Sequence, residues 1–298
     1  MKISVIIRTY NEETYLGELL EAIARQSTDH EVETIIVDSG STDDTLTIAA
    51  AHDTTIVHIN KDEFTFGRSL NIGCEHATGD LLAFVSGHCV PADVYWLENL
   101  AKPLVAGRAV YSYGRQVGRD TTRFSEDMVF NKYYPEIDMD PQEGFFCNNA
   151  NAMLRKDLWQ QFKFNEELTG LEDMYLAKQI VVAGHRLSYV SRATVFHVHN
   201  ETWRSIRIRY EREAIALREI MPEVHISFVD LISWILSSVY SDYKIALKEN
   251  RFSLLGEIIL YRASQYWGSF VGNHEHRKLS KERKLKYFYP NKQFERGA

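Results

Sequence analysis

Three observations predict an α/β fold built on a mostly parallel sheet. Apolar runs of strand length alternate with segments of helical period through the first 90 residues. Three of those runs end in clusters of polar residues. Beyond residue 203 the periodicity is helical, which adds a helical extension to the sheet. In an open parallel sheet, ligands gather beyond the carboxyl ends of the strands, so the polar strand ends converge on one site.

The first strand covers 3–7, is rich in β-branched residues and runs into Arg8-Thr9-Tyr10-Asn11-Glu12. Over 13–26, Leu16, Leu19, Leu20, Ile23 and Ala24 recur at helical spacing. A strand over 34–37 runs into Asp38-Ser39-Gly40-Ser41-Thr42-Asp43-Asp44, and Asp43 and Asp44 suit the N-terminus of the next helix. A strand over 55–59 and a helix over 67–77 follow. Gly79-Asp80 then turns the chain into a strand over 81–85, which ends at Ser86-Gly87-His88. The middle is less regular. It has a helix around 96–100, a strand over 109–117, an aperiodic stretch of loops and short helices over 121–144, a strand over 150–154 and helices over 155–161 and 171–183. Short strands over 187–190 and 194–198 close it. The expected division is a catalytic domain over 1–203 and a helical extension over 204–298. In the extension, Val229, Ile232, Leu236, Val239, Tyr243 and Leu247 share a face, and Gly268 and Gly272 are spaced for close helix approach.

Composition narrows the classes. A hydrophobic content of 45% with 25% charged residues is ordinary for a folded soluble protein. A net charge of −7 argues against a nucleic-acid binder. The last 25 residues are the exception: eight Lys/Arg against three Asp/Glu make a basic tail, read either as a contact for an anionic partner or as a solvated end. Cys74, Cys89 and Cys147 lack metal or disulfide spacing and read as small buried hydrophobes in a reducing compartment. No run reaches the ~18 apolar residues of a membrane span, and the apolar start is too short for a signal peptide. The expected location is the cytoplasm, with peripheral attachment to an inner membrane as an option.

Taken together, Ser4–Glu12, Ile35–Thr45 and Gly170-Leu171-Glu172-Asp173 resemble family 2 inverting glycosyltransferases of the GT-A fold, over roughly residues 1–212. Phe66-Gly67-Arg68-Ser69-Leu70-Asn71 and Asn148-Asn149-Ala150-Asn151-Ala152 resemble the rhamnosyltransferase-like branch. The resemblance implies a GT-A nucleotide-binding sheet flanked by helices. It implies a nucleoside-diphosphate sugar donor, dTDP- or UDP-linked, and a glycan or lipid-linked acceptor in bacterial surface polysaccharide synthesis. Thr9 and Glu12 would line the base and ribose, and Asp38 would accept from a base N–H. Arg68, Ser86, His88 and, from a mobile loop, Arg204 or Arg209 would serve the donor. Asn149, Asn151 and Glu172 would place the acceptor, and Asp173 would be the general base.

One departure stands out. Where the family usually carries Asp-x-Asp for a divalent metal, this chain has Ser86-Gly87-His88. His197 and His199, two apart on a strand, share a face and are the candidates to join His88 as ligands. Such donors favour Mn²⁺ over Mg²⁺. A metal-free site, with histidines and arginines facing the diphosphate, is the other option. Each feature also has a plainer reading: Asp38 and Asp43 as helix caps, Glu172 and Asp173 as dipole-matching residues, the histidines as buried hydrogen-bonding groups and the arginines as an exposed charged face. The alternative function is a catalytically weak or inactive nucleotide-sugar- or glycan-binding protein of the same fold. The extension fits either an anionic membrane surface or a homodimer contact.

Overall fold

The computed structural model describes residues 1–275 and 287–288, so most of the predicted basic tail lies outside the described residues. The chain forms two compact units. The first comprises Met1–Thr121, Phe130–Glu167 and Glu172–His199. The second comprises Thr122–Val129, Leu168–Leu171 and the described residues from Asn200 onward.

The first unit is built on eight strands: β1 (Lys2–Thr9), β2 (Glu31–Asp38), β3 (Thr55–His58), β4 (Leu81–Ser86), β5 (Cys89–Pro91), β6 (Tyr111–Val117), β7 (Asn151–Arg155) and β8 (Leu187–His197). Their order in the sheet is β3-β2-β1-β4-β7-β6-β8-β5. The β1–β4 half is parallel, as the early alternation predicts, while β7 runs antiparallel to both β4 and β6. Helices α1 (Leu16–Ala24), α2 (Thr45–Ala50), α3 (Phe66–His76) and α4 (Trp96–Val105) follow the strands they connect. Ile3, Val5 and Ile7 of β1 lie in one core with Leu16, Leu19 and Leu20 of α1 and Trp96, Leu97 and Leu100 of α4. Period-two alternation of the strand thus meets the 3.6-residue stripe of the helices.

The structure differs from the sequence reading in the middle. The loops and short helices expected over 121–144 include α5 (Phe124–Tyr133), whereas β5 is a three-residue strand that was not expected. The helices α6 (Lys156–Phe162) and α7 (Glu172–Val182) fall near their expected places. The two short strands expected over 187–198 are one strand, β8, with an irregularity. Between the pairs Gly114↔Val190 and Gln116↔Val195, β6 passes one residue while β8 passes four. This bulge explains the break in pattern: Ser191 and Arg192 leave the ladder, and Ser191 N–H bonds Asp138 Oδ1 at 2.7 Å instead. Gly114 is required beside it, because a Cβ there would lie 2.0 Å from the Ala193 carbonyl oxygen. All three cysteines are buried and unbridged.

In the second unit, α8 (Trp203–Ile220), α9 (Phe228–Lys248) and α10 (Leu255–Asn273) pack together. Thr202 caps α8, and Ser227 with Asp230 forms a capping box on α9. Gly268 and Gly272 do bring α10 onto α8: added Cβ atoms would lie 2.3 Å from Arg207 O and 2.2 Å from Glu211 O. The apolar stripe expected on α9 is only partly covered. Val239 and Tyr243 pack inward, but Val229, Ile232 and Leu236 are exposed. What α9 buries includes Asp242, which takes a bidentate bond from Arg262 at 2.7 and 2.9 Å and a third from Ser125 Oγ at 2.7 Å. Among the described residues, no helix is long and apolar enough to cross a membrane.

Candidate active site

The carboxyl ends of β1, β2 and β4 meet side by side: Thr9 is in register with Asp38, and Arg8 with Ser86. The loops after β1 and β2 are laced together. Asn11, in the left-handed region at φ 58°, accepts from Thr42 N–H at 2.8 Å through its side chain, and its own N–H donates to Ser41 Oγ at 2.9 Å. Glu12 N–H donates to Thr45 Oγ1 at 2.8 Å, and Glu13 and Asp43–Asp44 exchange two further bonds.

Asp38 is fully buried and committed within this lacing. Its Oδ1 accepts from Gly40 and Ser41 N–H at 2.9 and 3.0 Å; its Oδ2 accepts from Thr9 and Ser41 hydroxyls at 3.0 and 2.5 Å. Both oxygens are filled, so Asp38 shapes the 39–41 turn and does not present an acceptor to a base N–H as expected. Thr9, likewise buried, supports Asp38. Asp43, not Asp44, makes the side-chain bonds that start α2, accepting from Thr45 N–H at 3.1 Å.

Beyond β4, His88 Nδ1 lies 2.9 Å from Glu12 Oε1. Gly87 makes room for this contact, since a Cβ there would lie 2.8 Å from the Glu12 side chain. The three predicted histidines do come together. One nitrogen from each of His88, His197 and His199 lies within 4.8 Å of the others, and the His197 and His199 rings are 4.1 Å apart between centroids. His197 is the last residue of β8 and His199 lies just past it, so the shared face survives the strand's end. Three imidazoles this close fit a borderline transition-metal ion better than Mg²⁺.

The Glu172-Asp173 pair begins α7 and is buried. Arg8 Nη1 donates to Glu172 Oε1 at 3.1 Å, and the same side chain lies over the Phe66 ring. Asn149 N–H donates to Asp173 Oδ2 at 2.8 Å, and Met174 N–H to Oδ1 at 2.7 Å. Burial raises the Asp173 carboxyl to about 7, and the negative charge of Glu172 pushes in the same direction. A carboxyl so tuned is suited to exchange a proton near neutral pH. Asn149 holds Tyr111 OH through its Oδ1, and its buried Nδ2 has no hydrogen-bond partner among the described residues.

For four expected site residues the surroundings differ from expectation. Asn151 is wholly buried: its Oδ1 accepts from Trp96 Nε1 at 2.8 Å, and its Nδ2 donates to the Arg115 and Ala193 carbonyls at 2.9 and 2.7 Å. It stitches together the two sides of the β6–β8 irregularity, and its complete burial keeps it from an acceptor. Arg209 is not on a mobile loop but on α8, paired with Glu126 at 2.9 Å and Glu201 at 2.7 Å. Arg204 is exposed on the same helix. Arg68, half exposed on α3, stands 3.8 Å from Glu63. Conversely, Arg8, Gln116 and Asn148 join these contacts although no role was expected of them. Arg8 was legible as a charge at the end of an apolar strand, whereas Gln116 owes its place to the bulge opposite it.

A curled α/β sheet with polar strand ends and a buried carboxyl pair at a helix start defines the chain as a glycosyltransferase of the GT-A fold. Residues 4–162 match the family model Glycosyl transferase family 2, and the chain belongs to that family. The O-antigen chain rhamnosyltransferase RfbN of Salmonella typhimurium is 28% identical over 228 residues, covering 70% of each chain. Among solved structures, the mannosyltransferase PcManGT from Pyrobaculum calidifontis, in complex with GDP-Man and Mn²⁺, aligns with a TM-score of 0.66 at 17% identity. That alignment covers 93% of this chain and 88% of that one. TarS 1–349 from S. aureus, in complex with UDP-GlcNAc, aligns with a TM-score of 0.53 at 17% identity, covering 93% and 91%. These two likenesses concern the fold.

Proposed function

We propose that this glycosyltransferase inverts the anomeric centre of a dTDP- or UDP-linked sugar while moving it to a glycan or lipid-linked acceptor in bacterial surface polysaccharide synthesis. The observation that carries the reading is the buried Asp173 carboxyl, held by two backbone N–H groups and raised to about 7. Each of its oxygens keeps a lone pair beyond the bond it accepts. Asp173 takes the proton of the acceptor hydroxyl as that oxygen bonds to the anomeric carbon. The bond from that carbon to the diphosphate oxygen breaks, and its electron pair leaves with the diphosphate. Glu172, fixed by Arg8, and Asn149, through its Nδ2, orient the acceptor. The laced 9–12 and 39–45 loops form a ready-made floor for the nucleoside.

A divalent cation, Mn²⁺ in preference to Mg²⁺, would be held by His88, His197 and His199 and would neutralise the leaving diphosphate. PcManGT with Mn²⁺, TarS with UDP-GlcNAc and the rhamnosyltransferase RfbN support this reading. The first unit is read as the catalytic domain. The exposed apolar residues of α9 in the second are read as its contact with an anionic membrane at the cytoplasmic face or with a second copy, which vesicle flotation and light scattering separate.

The test is donor binding and turnover in Asp173→Asn, using UDP-, dTDP-, GDP- and CMP-sugars with and without Mn²⁺. Unchanged donor binding with lost transfer is expected. Near-normal turnover overturns the base assignment, and silence with every donor and metal favours a binding protein.

A further inference from the structure

Gln116 is buried on β6, and its side chain touches both His197 and the segment that holds Asp173. Its hydrogen bonds form a chain whose polarity is set at one end by the backbone. Ala150 N–H can only donate, and it points to Asn148 Oδ1 at 2.9 Å, so that atom is the amide oxygen. The Gln116 atom 3.1 Å from this oxygen must then be its NH₂. Its other atom, 2.6 Å from His197 Nδ1, is therefore the carbonyl oxygen, and Nδ1 must carry the proton. A neutral His197 so held has its lone pair on Nε2. His88 follows the same logic more simply: its Nδ1 faces a Glu12 carboxylate oxygen, an acceptor, at 2.9 Å.

We propose that Gln116 and Glu12 are positioning residues that lock His197 and His88 as Nδ1–H tautomers, so that both rings offer Nε2 to one transition-metal ion. The inference rests on the metal reading above and extends it from the three imidazoles to the groups that orient them. Outer partners of this kind fix ring rotation and tautomer, and losing one typically weakens metal binding 10- to 100-fold. Glu12 thereby gains a role other than lining a ribose. The arrangement also ties the imidazoles to the candidate base. Asn148, which anchors Gln116, adjoins Asn149, whose N–H bonds Asp173.

The full chain labelled with ¹⁵N, in EDTA at pH 8, gives the tautomers directly from long-range ¹H–¹⁵N imidazole correlations, with signals assigned by His88→Gln and His197→Gln variants. Co²⁺ titration followed by visible absorbance gives affinity independently of catalysis. Wild type should show His88 and His197 as Nδ1–H tautomers and bind Co²⁺. Gln116→Leu should lose the His197 pattern and bind Co²⁺ about 10- to 100-fold more weakly. Gln116→Glu, which keeps an acceptor for Nδ1–H, should stay much closer to wild type in both. A wild-type His197 protonated at Nε2 overturns the assignment whether or not the variants fold. So does Gln116→Leu binding Co²⁺ as tightly as wild type. Wild type that binds no Co²⁺ overturns the metal reading, and this inference with it.

Discussion

Arg8, at the end of the first strand, reaches a residue 164 positions later: its Nη1 lies 3.1 Å from Glu172 Oε1. The pair joins a strand end to the start of α7 and puts a positive charge near Asp173, whose proton affinity it lowers. Replacing Arg8 with Met leaves Glu172 buried without its counter-charge. Chemical denaturation should report a loss of about 2–3 kcal/mol, largely recovered in Arg8→Met/Glu172→Gln. The basic shift of the pH–rate profile's acid limb in Arg8→Met is the second readout. No shift would mean that Arg8 and Asp173 are not coupled.

As the proposed base, Asp173 would link activity to stability with opposite signs. Its folded pKa, about 7, lies above the unfolded value near 4. Between these values the folded state keeps a proton that the unfolded state has released. Stability therefore falls as pH rises from about 4 to about 7 and is level beyond. Transfer, by contrast, should rise with pH through about 7. Asp173→Asn should cut transfer about 10²- to 10⁴-fold. The same variant should be more stable than wild type at pH 8 by about 1–3 kcal/mol, with the gain fading towards pH 4. Paired melts at the two pH values check this; a variant equally destabilised at both contradicts it.

Asn151 distinguishes a framework role from an acceptor role. Asn151→Ala strands Trp96 Nε1 and the Arg115 and Ala193 carbonyls in the core. The expected cost is about 3 kcal/mol in denaturant unfolding. In the folded fraction, the KM for acceptor should stay within about threefold of wild type, a shift worth less than 1 kcal/mol. A large rise in KM with unchanged stability would reinstate Asn151 as an acceptor ligand.

Gly272→Ala places a Cβ 2.2 Å from Glu211 O, a backbone atom that cannot move alone. Thermal unfolding and limited proteolysis of the second unit should show destabilisation of about 1–3 kcal/mol. Gly256→Ala, with nothing within 4 Å of its added Cβ and a position on the same helix, is the control. It should be neutral or slightly stabilising, since it removes backbone freedom from the unfolded chain.

The parallel half of the sheet was legible because β1, β2 and β4 are short apolar runs ending in polar clusters, and those clusters do lie side by side. The meeting of His197 with His199 followed from their spacing; that of His88 with both rested on resemblance. What sequence could not give was hydrogen-bond occupancy. Asp38 looks like a ligand by position, and only its four donors show that both oxygens are taken. Asn151 has the same polar character as Asn149, yet one closes a bulge and the other has an Nδ2 without a hydrogen-bond partner among the described residues. The bulge itself shows in sequence only as a weak break at 191–193, and through it Gln116 comes to face His197.

The lacing of the 9–12 loop to the 39–45 loop has a kinetic meaning. Their conformational freedom is given up when the chain folds, not when a ligand arrives. A ligand that settles on them meets a finished surface, so its on-rate is governed by diffusion and charge and not by a search among loop shapes. Damage to Asn11 or Asp43 would then reach the ligand as a slower, more temperature-sensitive association, even though neither side chain need touch it.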